Sequence, residues 1–365
     1  MSTARGLDIG TMNLVKSEED DLVNGITFTL ERNAFLQAST SEDTETTLKE
    51  NNWSYVKHED KYYILGEDAF KLKNLLTVGS RPENQGIIAT QIGELRRPMQ
   101  NGVLNTGEEK LSIAIIQKLI EKLAGKPRKP GEVLCFCAPS DPVNSNLSVL
   151  FHKSILTSFF KSLGWEVECI PEALAVIYSE RPVAEDPNSD EKEAPYSGIG
   201  ISFGSGMINI MFAFKKIPLI SFSVTKSGDH IDQEAAKVCG LNVSAITRYK
   251  ETKFNLDKID PSNMKDAALE IFYNNMIDNT LSLFAEKFNQ LENPIDVPLE
   301  IVVAGGTSMV PGFLNKFNAV LKGKSLPFKV KGVRAAENPL YSVAKGCLIK
   351  AMSVEGKKIK EESKK

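Results

Sequence analysis

Histidine, tryptophan and cysteine are scarce in this sequence, and their scarcity excludes several kinds of site. The 365 residues include three histidines, five cysteines and two tryptophans. The histidines, His58, His152 and His230, are scattered, so they form neither a metal cluster nor a catalytic triad. The cysteines stand mostly in apolar runs, which is typical of reduced thiols in a cytosolic core. Cys135 and Cys137 lie close together in a predicted strand, but no second Cys or His pair completes a zinc site.

Strong charge of one sign and long apolar runs are also missing. The formal net charge is −3 at pH 7, which argues against nonspecific nucleic-acid binding. No apolar run reaches the ~18 residues that are needed to span a membrane. Because Met1 to Arg5 lead directly into a predicted strand, we expect no signal peptide and a cytoplasmic location. The stretch from Gly356 onwards is charged on all sides, so we expect a solvated tail rather than a membrane anchor.

The most informative feature is a pattern that occurs twice. Residues 6–15 and 200–210 each read as an apolar strand, a tight turn of small residues and a second apolar strand. Glycine in such a turn permits positive φ, and small side chains let an anion approach successive backbone N–H groups. The sequence therefore predicts two similar lobes that grip the phosphates of a nucleotide from either side. The copies differ at one position, where Asp8 in the first corresponds to Ser202 in the second.

Strand and helix signals alternate along the chain, which predicts an α/β protein. With 42% hydrophobic and 25% charged residues, a chain of this length fits two domains or one bilobed domain. Residues 109–124 have the apolar spacing of an amphipathic helix. Polar residues and a predicted hairpin at about 38–90 indicate a small inserted subdomain. The charged, proline-rich stretch 181–195 predicts a linker or exposed loop, and hence a boundary between lobes near residue 195.

A third glycine-rich segment lies at residues 301–313. A predicted buried strand ends there in paired glycines, and Thr307 and Ser308 follow at the start of a helix. Such a helix start can bind an anion or let a flat ring lie against the backbone, although a plain strand-to-helix turn would look the same. Two other glycine-containing segments are excluded as nucleotide-binding motifs. The segment that begins at Gly198 is not a dinucleotide-binding fingerprint, because Phe203 stands in place of the third glycine. The segment that ends near Gly323 is not a P-loop, because Asn318 stands in place of the first glycine.

Taken in order, these motifs resemble those of the actin, sugar-kinase and heat-shock-chaperone ATPase superfamily. Five segments carry the resemblance: Asp8–Asn13 as phosphate-1, Ile170–Tyr178 as connect-1, Ile201–Gly206 as phosphate-2, Val303–Gly312 as the adenosine motif and Asn338–Gly346 as connect-2. They cover nearly the whole chain. Arg96–Leu104 is also similar to the segment before the first long helix of bacterial rod-shape actins. Within the superfamily the chain looks most like prokaryotic actins of the MreB and plasmid-segregation type.

The resemblance implies an α/β, two-lobed actin-like ATPase fold, in which each lobe is a mixed sheet with flanking helices plus a small inserted subdomain. The organisation it implies is a first lobe at 1–195, a second lobe at 196–346 with an insert at about 228–292, and a helix end with a charged tail at 347–365.

The resemblance also implies that ATP and Mg²⁺ bind between the lobes. Asp8 would hold Mg²⁺ through water, and Glu172 would orient the attacking water. The other implied cofactor contacts are Gly10, Thr11, Met12, Asn13, Gly204, Ser205, Gly206, Gly228, Asp229, Lys250, Glu251, Gly305, Gly306 and Ser308. From the residues alone, Asp8 could instead stabilise a turn, Glu172 could be a charge near a helix start, and Lys250 and Glu251 could be exposed ion-pairing residues.

Ser202 departs from the family pattern, which has an aspartate there that helps to hold Mg²⁺. Loss of that carboxylate removes a charge and a strong acceptor, so we expect tight nucleotide binding with slow ATP hydrolysis. On this reasoning, Ser202→Asp should raise turnover.

A bare ATPase core is similar to that of filament-forming bacterial and archaeal actins. The expected function is therefore an ATP-binding cytoskeletal protein that self-associates into filaments. A nonpolymerising ATP-dependent switch or chaperone-like adaptor is the alternative, and a small-molecule kinase is disfavoured because the chain has no extra substrate-binding insert. We expect no direct contact with nucleic acid and no transmembrane segment.

Overall fold

The fold is seen in a computed structural model, which describes residues 2–20, 22–23, 25–38, 43–78, 94–180, 197–214, 217–291 and 297–362. The predicted linker at 181–195 and the end of the first predicted insert, residues 79–90, lie outside the described residues. The lobe boundary near residue 195 therefore stays a prediction.

The described elements alternate between strands and helices along most of the chain. The strands are β1 (Arg5–Ile9), β2 (Asn13–Asp20), β3 (Gly25–Arg32), β4 (Phe35–Gln37), β5 (Tyr55–His58), β6 (Lys61–Leu65), β7 (Met99–Gln100), β8 (Val103–Leu104), β9 (Val133–Ala138), β10 (Glu166–Pro171), β11 (Gly198–Phe203), β12 (Ile208–Phe214), β13 (Ile217–Val224), β14 (Leu299–Ala304) and β15 (Val330–Ala335). The helices are α1 (Thr44–Glu50), α2 (Gly66–Val78), α3 (Glu109–Ala124), α4 (Leu150–Ser162), α5 (Glu172–Ser179), α6 (Gly228–Cys239), α7 (Val243–Thr252), α8 (Met264–Asn289), α9 (Phe313–Lys322) and α10 (Ser342–Glu362).

Two five-stranded sheets share one topology. The first has the strand order β10-β9-β1-β2-β3, and the second, read in the same direction, is β15-β14-β11-β12-β13. In each sheet the first three strands in the chain form an antiparallel meander, and the two later strands pair in parallel. The duplicated hairpins are β1–β2 and β11–β12, in equivalent places. The two-lobed α/β fold is thus confirmed.

Smaller elements extend each lobe. In the first, β4, β6 and β5 form a three-stranded sheet with its own small apolar cluster around Leu36 and Ile64. In the second, α6 packs against both α7 and α8. The predicted helix at 109–124 is confirmed, because α3 has the same bounds and buries Ile116, Leu119 and other apolar residues in the core of the first lobe.

The strand alternation explains which residues face the space between the sheets. In β1, Leu7 and Ile9 point into the core of the first lobe, so Gly6 and Asp8 lie on the other face. A Cβ on Gly6 would collide with the backbone of α10 at Leu348. In β11, Gly200 takes the equivalent place against α5.

Helices α5 and α10 pack against each other between the two sheets. A Cβ on Gly200 would lie 2.7 Å from Ala173 O of α5, so the strand and the helix approach closely. Residues from both sheets and both helices share one apolar cluster, which joins the lobes. Asp8 and Ser202 stand two residues beyond Gly6 and Gly200 on the same faces, where this cluster ends. No helix among the described residues is long and apolar enough to cross a bilayer.

Candidate functional site

Both hairpins end in turns of the same construction. The N–H of Gly10 donates to Asn13 O at 3.0 Å in the first turn, and the N–H of Gly204 donates to Met207 O at 3.0 Å in the second. Thr11 and Met12 in the first turn thus correspond to Ser205 and Gly206 in the second. The repeated backbone geometry confirms that the two halves present equivalent turns.

Asn33, which the sequence analysis did not single out, shapes the first turn. Its backbone N–H donates to Met12 O at 3.0 Å, and its side-chain amide donates to Gly10 O at 2.9 Å. The side chain of Asn13 is held by Arg32, whose guanidinium donates to Asn13 Oδ1 at 3.1 Å. These bonds occupy carbonyl and amide oxygens, so the turn keeps its N–H side available to an anion.

The two turns approach each other through a third loop. Gly102, in the turn between β7 and β8, donates its N–H to Thr11 Oγ1 at 3.1 Å. A Cβ on Gly206 would collide with both Thr11 and Gly102, and a Cβ on Gly102 would lie 2.9 Å from Met207 Cγ. The segment that resembles the rod-shape actins therefore lies where the lobes meet.

An ion pair joins the lobes beside these turns. Arg97 Nη1 lies 2.8 Å from both Asp229 Oδ1 and Asp229 Oδ2, and both side chains are half-buried. Asp229 is at the start of α6, and its N–H donates to Ser205 O at 2.8 Å. Gly228 packs against Thr307 and Gly204. The resemblance implies that Asp229 contacts the cofactor, and in this structure its carboxylate is held by Arg97.

Glu172 stands at the start of α5 with a donor on each carboxylate oxygen. Ser202 Oγ donates to Glu172 Oε1 at 2.6 Å, and Asn209 Nδ2 donates to Glu172 Oε2 at 2.8 Å. Asn209 also accepts the backbone N–H of Ser140 on Oδ1 at 3.0 Å. Ser202 and Asn209 are buried, whereas Glu172 as a residue is half-buried. Ser202 is therefore a hydrogen-bond donor to Glu172.

Asp8 is the other carboxylate of the site. Cys137 Sγ donates to Asp8 Oδ1 at 3.4 Å. Desolvation raises the pKa of Asp8 and that of Glu172, and the nearby charge of Asp8 raises the pKa of Glu172 further. A divalent cation would relieve this crowding of negative charge.

The donor set fits Mg²⁺. No cluster of three or more metal-ligating side chains occurs in the part of the chain that the structure describes. Mg²⁺ does not need such a cluster, because it usually binds one or two carboxylates together with water and substrate phosphates. Asp8, half-buried and next to the first turn, meets that requirement.

The adenosine motif forms the far side of the site, and its two glycines differ. Gly305 has φ of 92°, and a Cβ there would collide with the backbone of Phe203, so this glycine lets β14 approach β11 closely. A Cβ on Gly306 would meet only Leu340 Cδ1, at 3.9 Å, and the residue is exposed. Ser308 Oγ donates to Gly305 O at 2.7 Å. Gly306 thus leaves a surface on which a flat ring can lie.

Lys250 and Glu251 occupy different environments. Lys250 Nζ lies 2.7 Å from Asp232 Oδ1 and both side chains are buried, whereas Glu251 is exposed. The ammonium group of Lys250 therefore neutralises Asp232 in α6. This ion pair is buried, unlike the exposed pairing that the sequence left open as an alternative.

The sequence names Thr307 only as part of a predicted helix start, and it does not single out Asn209 or Arg97. Thr307 Oγ1 donates to Gly204 O at 2.8 Å and so ties the adenosine motif to the second turn. Asn209 carried a usable signal, because it is a lone polar residue in the apolar strand β12. Arg97 lies in the segment that resembles the rod-shape actins, but no local pattern indicates its partner, which lies 132 positions away.

The comparisons with known proteins agree with this architecture. A family model described as Volactin matches residues 3–351. No curated protein matches the sequence.

Solved structures with a similar fold include three prokaryotic proteins. The MamK double helical filament is 15% identical with a TM-score of 0.64, covering 96% of this chain and 98% of that one. MreB5 of Spiroplasma citri bound to AMPPNP is 14% identical with a TM-score of 0.63, covering 99% and 98%. Apo pSK41 ParM is 14% identical with a TM-score of 0.52, covering 97% and 98%. At these identities the similarity shows the fold, which is that of the actin-like ATPases.

Proposed function

The chain belongs to the Volactin family, and we propose that it is an actin-like cytoskeletal protein that binds ATP with Mg²⁺ between its lobes and assembles into filaments. One observation carries the proposal. Two turns with the same hydrogen bond, Gly10–Asn13 and Gly204–Met207, close equivalent hairpins in two sheets of the same topology. Among the similar structures, one is of a double helical filament and another contains AMPPNP. The free thiols of all five cysteines support a cytoplasmic location.

Different residues would bind the phosphates, the Mg²⁺ and the nucleoside. The N–H groups of the two turns would receive the phosphates, and Asp8 would hold Mg²⁺ through water. When bound, Mg²⁺ would offset the negative charge of the phosphates and of the two carboxylates. Glu172 would orient a water molecule, and Gly306, which is exposed, would support the nucleoside.

Gly306→Val tests the nucleoside site. Because a Cβ at Gly306 meets nothing closer than 3.9 Å, the variant should fold. Its side chain should occupy the place of the ring and weaken ATP binding by about tenfold or more, which corresponds to ~1.4 kcal/mol or more. Gly332→Val, in β15, is a matched control, because a Cβ there has no neighbour within 4 Å. Calorimetric titration with ATP and Mg²⁺ measures both. Unchanged affinity in folded Gly306→Val would contradict the site.

Assembly is tested separately. Light scattering and negative-stain microscopy across a concentration series with ATP should show a critical concentration and polar filaments. A head-to-tail contact does not close on itself, which is why it continues into a filament. Monodisperse protein at every concentration would instead favour the nonpolymerising switch.

A further inference from the structure

We propose that Ser202 and Asn209 are positioning residues that hold the carboxylate of Glu172 in its water-orienting place. This inference rests on the proposed function. It also gives Ser202 a different role from the one expected from the sequence, where the residue counted only as a missing metal ligand.

Each carboxylate oxygen of Glu172 has a hydrogen-bond donor. One oxygen accepts from Ser202 Oγ at 2.6 Å and the other from Asn209 Nδ2 at 2.8 Å. Ser202 and Asn209 are cross-strand partners in the register of β11 and β12, so their side chains leave the sheet side by side. Two donors on two oxygens fix both the position and the plane of the carboxylate. Glu172 as a residue is half-buried.

The orientation of the Asn209 amide follows from a backbone contact. Asn209 Oδ1 lies 3.0 Å from Ser140 N, and a backbone N–H can only donate. The oxygen of the amide must therefore face Ser140, which directs the NH₂ group to Glu172. Asn209 is fully buried and both ends of its amide are satisfied. Asn209 thereby links β12 of the second lobe to Glu172 and to the loop after β9 of the first.

An aspartate at position 202 would not reproduce this arrangement. The hydroxyl of Ser202 donates, whereas an ionised carboxylate can only accept. At hydrogen-bond distance from Glu172, a second carboxylate would force one of the two to take up a proton or to move. Ser202→Asp should therefore lower turnover, the reverse of what the missing-ligand argument predicts.

The experiment measures phosphate release at saturating ATP together with ATP affinity. Ser202→Ala and Asn209→Leu should each lower kcat by about tenfold or more, while ATP affinity stays within about twofold, because the lost contact acts on the chemical step. Ser202→Thr, which keeps the hydroxyl, should retain more of the rate than Ser202→Ala. Gly332→Val serves as the control with the native rate. Denaturation midpoints confirm that each variant is folded.

A double-mutant cycle separates positioning from a general structural effect. In a Glu172→Gln background, Ser202→Ala should cost little further rate, because its effect passes through the carboxylate that is already gone. Equal losses in both backgrounds would overturn the inference, and so would a rise in turnover in Ser202→Asp. Native protein that binds ATP but releases no phosphate would also overturn it, while leaving binding and assembly intact. Failure to bind ATP would remove the proposed function itself, and the inference with it.

Discussion

His152 offers a quantitative test of the packing of the first lobe. It lies in α4, is 1% exposed, and neither ring nitrogen has a hydrogen-bond partner among the described residues. Burial lowers the pKa of His152 to about 4 from its ordinary value of 6.5. The folded protein therefore keeps this imidazole neutral under conditions in which the unfolded chain would protonate it.

The sign of the pH dependence follows from the two pKa values. Between pH 6.5 and 4 the unfolded state binds more protons than the folded state, so the free energy of unfolding falls as the pH falls. The loss is about 2 kcal/mol at pH 5 and approaches about 3 kcal/mol well below pH 4, since each unit of pKa difference is worth about 1.4 kcal/mol. Above pH 7, His152 no longer contributes to the pH dependence of the free energy of unfolding.

The change in the free energy of unfolding with pH is measured by urea denaturation of the native protein and of His152→Leu. The measurements run from pH 7.5 to pH 5 in steps of about 0.5. Leucine fills a similar volume without a polar atom, so the variant should lose less stability on acidification, by about 2 kcal/mol at pH 5. His58→Gln is the control for removing a histidine from a less buried place. Parallel profiles for the native protein and His152→Leu would refute the reasoning, because they would show that His152 keeps an ordinary pKa in the folded state.

Two ion pairs yield further predictions. Arg97→Met removes the ion pair with Asp229 that joins the lobes, so small-angle scattering of the nucleotide-free protein should show a larger radius of gyration. Arg96→Met, which removes contacts within the first lobe, should not change it. Lys250→Met should reduce the free energy of unfolding by about 3–5 kcal/mol in urea denaturation, because it leaves Asp232 buried without its partner. Adding Asp232→Asn should recover part of that loss, and a full loss in the double variant would show that the pair is not the cause.

The parts of the structure that depend on short-range pattern were predictable from the sequence. The β1–β2 and β11–β12 hairpins and helix α3 follow from apolar spacing and turn residues within a few positions of each other. The resemblance then identified the two-lobed arrangement. These features share one property, which is that each is specified by neighbouring residues in the chain.

The partners of the site residues could not be predicted in the same way. Ser202 donates to a residue 30 positions away, and Arg97 pairs across 132 positions. Such contacts depend on how the sheets and helices pack, and no local pattern encodes them. Lys250 is another example, because its ion pair with Asp232 joins two different helices.

The shared topology of the two sheets makes the asymmetry of the site interpretable. Asp8 and Ser202 hold equivalent positions on β1 and β11, yet Asp8 accepts from Cys137 while Ser202 donates to Glu172. The second lobe thus relies on α5, and not on its own hairpin, for a carboxylate. Desolvation already raises the pKa of Asp8 and of Glu172, so a third carboxylate at position 202 would add repulsion. Serine keeps the number of carboxylates at two, which is as many as a Mg²⁺ site completed by phosphates and water requires.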